Sequence, residues 1–148
     1  MIYRINLAIY SKNDTFVRND EGMPFLIEGD KRCPRIEADF SAGQMQISGI
    51  SLPENPYNYY QPAIQEIEDY IQNPCEKTLL SFKLEYFNTG SALAIRNIIQ
   101  LFNDKLPLNS FSVKWYYEED DADMLDSGEE FASIFSKTHF EMIEVPEF

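Results

Sequence analysis

Histidine and cysteine are scarce in this chain: His139 is the only histidine, and Cys33 and Cys75 are the only cysteines. Neither cysteine belongs to a CxxC pair or has a histidine beside it. The spacings that build zinc sites and redox pairs are therefore missing, and both read as reduced, buried thiols. His139 lacks a serine, cysteine or acid in triad-like context and reads as a side chain at a strand end. The phosphate loops GxxxxGK[ST] and GxGxxG and the nucleophile elbow GxSxG do not occur. The expectation is a protein that is not an enzyme and carries no cofactor.

Positive charge is scarce too, with 12 lysines and arginines against 25 acids, a net charge of −13 at pH 7, and no basic run. Nucleic-acid affinity comes mostly from clustered cations meeting phosphates, so a DNA or RNA partner is excluded. Apolar stretches run to five residues at most, where a membrane-spanning helix needs about 20. The opening MIYRINLAIYSKND has one early arginine, an apolar stretch broken by Asn6, and no small-residue cleavage site. It does not read as a secretory signal, and a cytoplasmic, bacterial-type protein that does not engage a membrane is expected.

What is present is material for one domain: 148 residues, 44% hydrophobic and 14% aromatic, enough to build a core without staples. Residues 1–22 read as a weakly specified extension, a strand candidate at Ile2 to Tyr10 followed by a polar run from Ser11 to Gly22. Met23, before Pro24, offers an alternative start, and 23–148 is taken as the domain.

Three strand candidates open it, Phe25 to Glu28, Arg35 to Phe40 and Gln44 to Ile50, the last two forming a hairpin through Ser41-Ala42-Gly43. Over Asn55 to Gln72 the period changes: Tyr60, Ala63, Ile64, Ile67, Tyr70 and Ile71 fall three or four apart, the mark of an amphipathic helix. Pro56 and Pro62 predict a short initial turn, with the main helix opening near Gln61 and ending at Asn73-Pro74. Leu80, Phe82, Leu84 and Tyr86 alternate as a strand, and a second helix spans Ser91 to Leu106, stopped by Pro107. Phe111, Val113, Trp115 and Tyr117 mark a further strand, Met124, Gly128, Phe131 and Phe135 a third helix, and His139 to Val145 a last strand. The order β, β, β, α, β, α, β, α, β implies an α/β fold with a mixed sheet: an opening hairpin, then parallel strands joined by about three helices.

Two places attract chemistry. The run Glu118-Glu119-Asp120-Asp121-Ala122-Asp123, with Asp126, Glu129 and Glu130, offers oxygens to a hard cation. Leu125 and Asp126 break an EF-hand register begun at Asp121, and acids at the start of the third helix favour its positive end, with Asp121 or Asp123 as N-cap. No metal site is expected. The other place is Tyr86-Phe87-Asn88-Thr89-Gly90-Ser91, where a strand passes into a helix within a few polar or small residues. Thr89 reads either as the helix N-cap or as a phosphoacceptor, since a phosphoryl group of about −1.5 to −2 charge is well received at a helix N-terminus. The nearest cations in sequence, Lys83 and Arg96, are distant enough that the added charge would stay largely unpaired. Pro53-Glu54-Asn55 reads as a loop stiffening the entry to the first helix, with Asn55 as cap and Pro56 at its first position. Alternatively, Glu54 and Asn55 lie beside Thr89 and help to form a docking surface, for which Tyr57, Tyr59 and Tyr60 are also suited, although aromatic residues at helical spacing are more often core.

These segments carry a resemblance. From about Gly29 to Val145 the chain resembles the SiaC family of bacterial regulatory phosphoproteins. The residues concerned are Cys33-Pro34, Ile47-Ser48-Gly49-Ile50-Ser51-Leu52-Pro53-Glu54-Asn55, Tyr60-Gln61-Pro62, Tyr86-Phe87-Asn88-Thr89-Gly90-Ser91, Trp115-Tyr116-Tyr117, Asp123-Met124 and Gly128-Glu129. The resemblance implies a STAS-like fold and a signalling switch. By that resemblance a cognate protein kinase is expected to phosphorylate the threonine of the NT motif, here Thr89, and a PPM-type phosphatase to remove the group. The bare form is expected to bind and activate a diguanylate cyclase in cyclic-di-GMP signalling. Asn88, Gly90, Ser91, Pro53, Glu54 and Asn55 are the implied partner-binding residues. Gly90, Cys33 and Ile50 depart from the family's usual serine, threonine and polar or basic residue. A constitutive STAS-like adaptor is the alternative if Gly90 abolishes kinase recognition, and a metal-dependent enzyme using the Asp121 cluster is the third reading.

Overall fold

The computed structural model describes residues 24–148; the Ile2 to Tyr10 strand candidate and the rest of the 1–22 extension lie outside the described residues. The chain forms β1 (Phe25–Ile27), β2 (Arg35–Asp39), β3 (Gln44–Ser51), α1 (Pro56–Tyr70), β4 (Thr78–Phe87), α2 (Thr89–Lys105), β5 (Phe111–Glu118), α3 (Ala122–Ile134) and β6 (His139–Val145). The element order is the expected one. The six strands lie in sequence order in one sheet, β1 to β3 antiparallel and β3 to β6 parallel.

Right-handed crossovers between successive parallel neighbours carry α1, α2 and α3 to the same face of the sheet. On that face Met45 and Ile47 of β3, Leu80, Phe82 and Leu84 of β4, and Phe111, Val113 and Trp115 of β5 are buried at every second position. They meet Tyr60, Ala63 and Ile67 of α1, Ile95, Ile98, Ile99 and Phe102 of α2, and Met124 and Phe131 of α3 in a single core. The alternating positions Gln46, Ser48, Lys83, Glu85 and Lys114 occupy the opposite face and are polar, with the Lys83 ammonium 4.8 Å from the centre of the Tyr116 ring.

Two expectations need correction. The first helix does not open at Gln61 after a separate turn; α1 runs unbroken from Pro56 with Pro62 inside it. Pro62 withholds the N–H that would reach the Asn58 carbonyl, and because Asn58 is exposed, water can take that acceptor. The cysteines are free but half-buried rather than buried. Each sits in a loop at a rim of the sheet, Cys33 between β1 and β2 and Cys75 between α1 and β4, where its thiol lies 3.4 Å from the Phe40 carbonyl.

Trp115 fixes the position of α3. Its ring is fully buried, its indole N–H donates to the Met124 carbonyl at 2.9 Å, and the rings of Phe82 and Phe131 lie 5.1 and 5.5 Å away. Gly128 faces this ring so closely that a Cβ there would collide with Trp115 Cδ1. Gly128→Ala is expected to destabilise the domain by about 1–3 kcal/mol through overpacking, read as a lower urea midpoint with an unchanged slope.

Candidate functional site

β3 and β4 are parallel neighbours that finish side by side, Ser51 paired with Phe87. The segments leaving them, residues 52–55 and Asn88, therefore emerge at one carboxyl edge, where α1 and α2 begin. Asn88 continues the extended backbone of β4 (φ −90°, ψ 176°), and its side-chain carbonyl accepts the Ser91 N–H at 2.9 Å. Asn88, not Thr89, is thus the N-cap of α2. The cap must sit outside the helix with extended backbone and an acceptor reaching three residues on, which Asn88 provides. Thr89 is the first helical residue instead of a residue before a helix opening at Ser91. It is exposed, and its hydroxyl makes no hydrogen bond among the described residues.

Beneath it the backbone is anchored by buried hydroxyls. The fully buried Ser91 donates from Oγ to the Ser51 carbonyl at 2.9 Å, and Ser51 Oγ donates to Ser91 Oγ at 2.7 Å. Ser51 Oγ also lies 2.7 Å from the Tyr60 hydroxyl, which is left as the donor of that pair. The Asn88 N–H reaches the same Ser51 carbonyl at 3.3 Å. Burial pushes the Tyr60 phenol well above the usual tyrosine range, with the Ser51 hydrogen bond opposing it, so Tyr60 stays a neutral donor. No buried side-chain nitrogen or oxygen among the described residues lacks a partner. The network is closed and rigid, and it ties the end of β3, the first turn of α2 and α1 together.

The loop after β3 completes the edge. Asn55 caps α1, accepting the Asn58 N–H at 3.1 Å, with Pro56 at the first helical position, as expected from the sequence. Pro56 packs against Gly90: a Cβ on Gly90 would lie 3.1 Å from Pro56 Cγ. Sequence-derived residues from both segments are thereby brought together. Their environments differ, because Pro53 and Ser91 are buried and Asn88 is half-buried, while Glu54, Asn55, Thr89 and Gly90 are exposed. Of the three tyrosines, Tyr60 is buried, Tyr59 donates to the Pro34 carbonyl at 2.6 Å, and Tyr57 is 70% exposed. Leu93, one turn beyond Thr89 on α2, is 60% exposed and adds a second bare apolar side chain. The roles of Ser51 and Tyr60 escape a reading by motif. The available signal was Ser51 standing in the buried phase of β3, where a hydroxyl requires a partner.

Elsewhere, Asp121 caps α3 by accepting the Met124 N–H at 3.0 Å, and His139 is exposed at the start of β6. Among the described residues no three His, Cys, Asp or Glu side chains are grouped to hold a metal ion. No helix among the described residues is long and apolar enough to cross a membrane.

The chain is thus a one-sided α/β domain with an exposed threonine on a fixed helix start. Comparison with known proteins makes this specific. The family described as SiaC family regulatory phosphoprotein matches residues 27–145, and the chain belongs to that family. It resembles a chain of the crystal structure of diguanylate cyclase SiaD in complex with its activator SiaC from Pseudomonas aeruginosa, with TM-score 0.75 and 26% identity, covering 82% of this chain and 99% of that one. SiaC of Pseudomonas aeruginosa solved separately gives TM-score 0.74 and 27% identity over 82% of this chain and 98% of the other. An uncharacterized protein of Pseudomonas aeruginosa strain UCBPP-PA14 is 28% identical over 106 residues, 71% of this chain and 84% of its own. The mixed sheet with three helices is the architecture these solved structures share with this chain.

Because the network under Thr89 is closed, Ser91→Ala leaves buried Ser51 oxygens short of a partner. The variant is expected to lose about 1–3 kcal/mol in chemical denaturation. Tyr60→Phe, which removes only the outer donor, is expected to lose less.

Proposed function

We propose that this chain is a phosphorylation-controlled switch that binds and activates a diguanylate cyclase while Thr89 is unphosphorylated. The observation that carries this reading is the Thr89 hydroxyl, exposed and without a hydrogen bond among the described residues, at the fixed start of α2 in a member of a regulatory phosphoprotein family. A cognate kinase transfers a phosphoryl group to Thr89 Oγ1, and a PPM-type phosphatase returns the hydroxyl by hydrolysis. The chain itself acts through binding, not catalysis. The cyclase partner is supported by the relative SiaC, which is described as the activator of the diguanylate cyclase SiaD in their complex.

The division of labour follows from burial. Asn88 and Ser91 hold the acceptor's backbone, Pro53 and Asn55 hold the neighbouring loop, and Glu54, Thr89 and Gly90 supply the surface that the partner meets. Tyr57 and Leu93 flank it with apolar area of the kind that anchors protein interfaces. Phosphorylation places up to two negative charges at the centre of this surface. Burying them under a partner that offers no cation costs several kcal/mol, enough to shift affinity by orders of magnitude.

Binding of the host's diguanylate cyclase to three forms tests the reading by calorimetry, with cyclase turnover measured alongside. Thr89→Ala is expected to bind and activate like the unmodified protein, while the Thr89-phosphorylated form binds at least about tenfold more weakly, a loss of about 1.4 kcal/mol. Equal affinity of all three forms would leave a constitutive adaptor in its place.

A further inference from the structure

The β1–β2 loop brings two cations to the edge that carries Thr89. Gly29 opens the loop at φ +74°, a conformation that suits glycine, and a Cβ there would come within 2.6 Å of the Cys33 carbonyl. The Asp30 carboxylate accepts the N–H groups of Arg32 at 2.8 Å and Cys33 at 2.9 Å, and the Asp30 N–H donates to the Cys33 carbonyl at 2.9 Å. This fixed turn is fastened to the chain just beyond β3, because the Leu52 N–H donates to the Arg32 carbonyl at 2.6 Å. The preceding residue, Ser51, accepts from Asn88 on its other side. Residues 32, 51–52 and 88 therefore lie in a row across three adjacent chain segments. Arg32 and Asn88 are two strand spacings apart, about 10 Å between backbones. An extended arginine and a phosphothreonine side chain together span that distance.

Lys31 and Arg32 are both exposed, and neither side chain has an ion pair or hydrogen bond among the described residues. Among the described residues of a chain of net charge −13, they are the only two cations adjacent in sequence, and the Asp30 carboxylate beside them is turned to the backbone N–H groups of Arg32 and Cys33. The intervening loop carries one acid, the exposed Glu54, which has no hydrogen bond or ion pair among the described residues either.

We infer that Lys31 and Arg32 form an intramolecular receiving site for the phosphoryl group on Thr89. The guanidinium of Arg32 holds phosphate oxygens in the geometry that suits its planar fork, and Lys31 adds a point charge. The phosphorylated state is then a distinct arrangement of the edge, in which the Lys31 and Arg32 side chains reach from the fixed turn across the surface that the bare form presents. This replaces the expectation from sequence neighbours alone, Lys83 and Arg96, of a phosphate left unpaired. The inference rests on Thr89 being the acceptor, and its test does not depend on a kinase or a cyclase.

Phosphothreonine is installed at position 89 by genetic-code expansion, and its second ionisation is followed by 31P NMR. A neighbouring cation favours the dianion, so its pKa is expected below the usual value of about 6 in the otherwise unaltered protein. In the Lys31→Ala/Arg32→Ala variant it is expected to rise by about half a unit or more. Arg96→Ala, which removes an exposed cation from α2 itself, is expected to leave it in place. An identical titration with and without Lys31 and Arg32 overturns the inference, as does an equal rise in Arg96→Ala, which would reveal only the overall field. Circular dichroism melts of the unphosphorylated variants check that the fold is retained. A receiving site found here while cellular Thr89 carries no phosphate would count against the functional reading alone.

Discussion

Ser51 receives three groups from two helices: the hydroxyl of Ser91 and the N–H of Asn88 at the start of α2, and the phenol of Tyr60 in α1. Its position at the last residue of β3 makes it the point where the sheet, α1 and α2 are joined. With its three hydroxyls partnered and buried, the network stands at a low local dielectric, where each hydrogen bond is strong and an open one is costly. That cost keeps the backbone on either side of Thr89 in one conformation. The threonine itself takes no part, and its hydroxyl makes no hydrogen bond among the described residues, which is what the proposed modification requires. A threonine serving as the helix cap would have its oxygen engaged with a backbone N–H. The asparagine before it removes that conflict.

The parallel arrangement of β3 and β4 is the second requirement. Parallel strands end at the same edge, so the loop after one and the helix start after the other become neighbours without further chain. The antiparallel hairpin places the β1–β2 loop at that edge as well, since β2 begins where β3 ends. Three segments separated by tens of residues thus meet at a surface of modest size, while the core of aliphatic and aromatic side chains holds the sheet beneath them. A modification at this surface alters charge and shape where a partner would bind and leaves that core untouched.

Much of the architecture was legible because the signals were periodic. The two-residue alternation of Leu80, Phe82 and Leu84 and the helical spacing of Ile95, Ile98, Ile99 and Phe102 both reflect one buried face, which is what the sheet and α2 provide. Pro62 misled about α1, because the helix carries this proline without breaking, and the carbonyl it leaves unpaired belongs to the exposed Asn58. In the site, Thr89 and the Pro53-Glu54-Asn55 loop were legible as motifs. The cap was assigned one residue late, since Asn88 and Thr89 are both good capping residues and only the backbone angle at the strand end decides between them. Ser51 and Tyr60 were invisible as a pair, because their partnership is tertiary and leaves no local pattern. Arg32 was invisible for the same reason: sequence distance said nothing of the hydrogen bond that fastens its carbonyl to Leu52.

The central claim is that Thr89 is a modified switch residue and not a bystander at the start of a helix. The most direct measurement is intact-mass and peptide mass spectrometry on the protein purified from its native cells, with and without phosphatase treatment, across several growth conditions. The account predicts a removable phosphoryl group on Thr89 whose occupancy changes with conditions. A chain that carries no phosphate at Thr89 in any of them would contradict it.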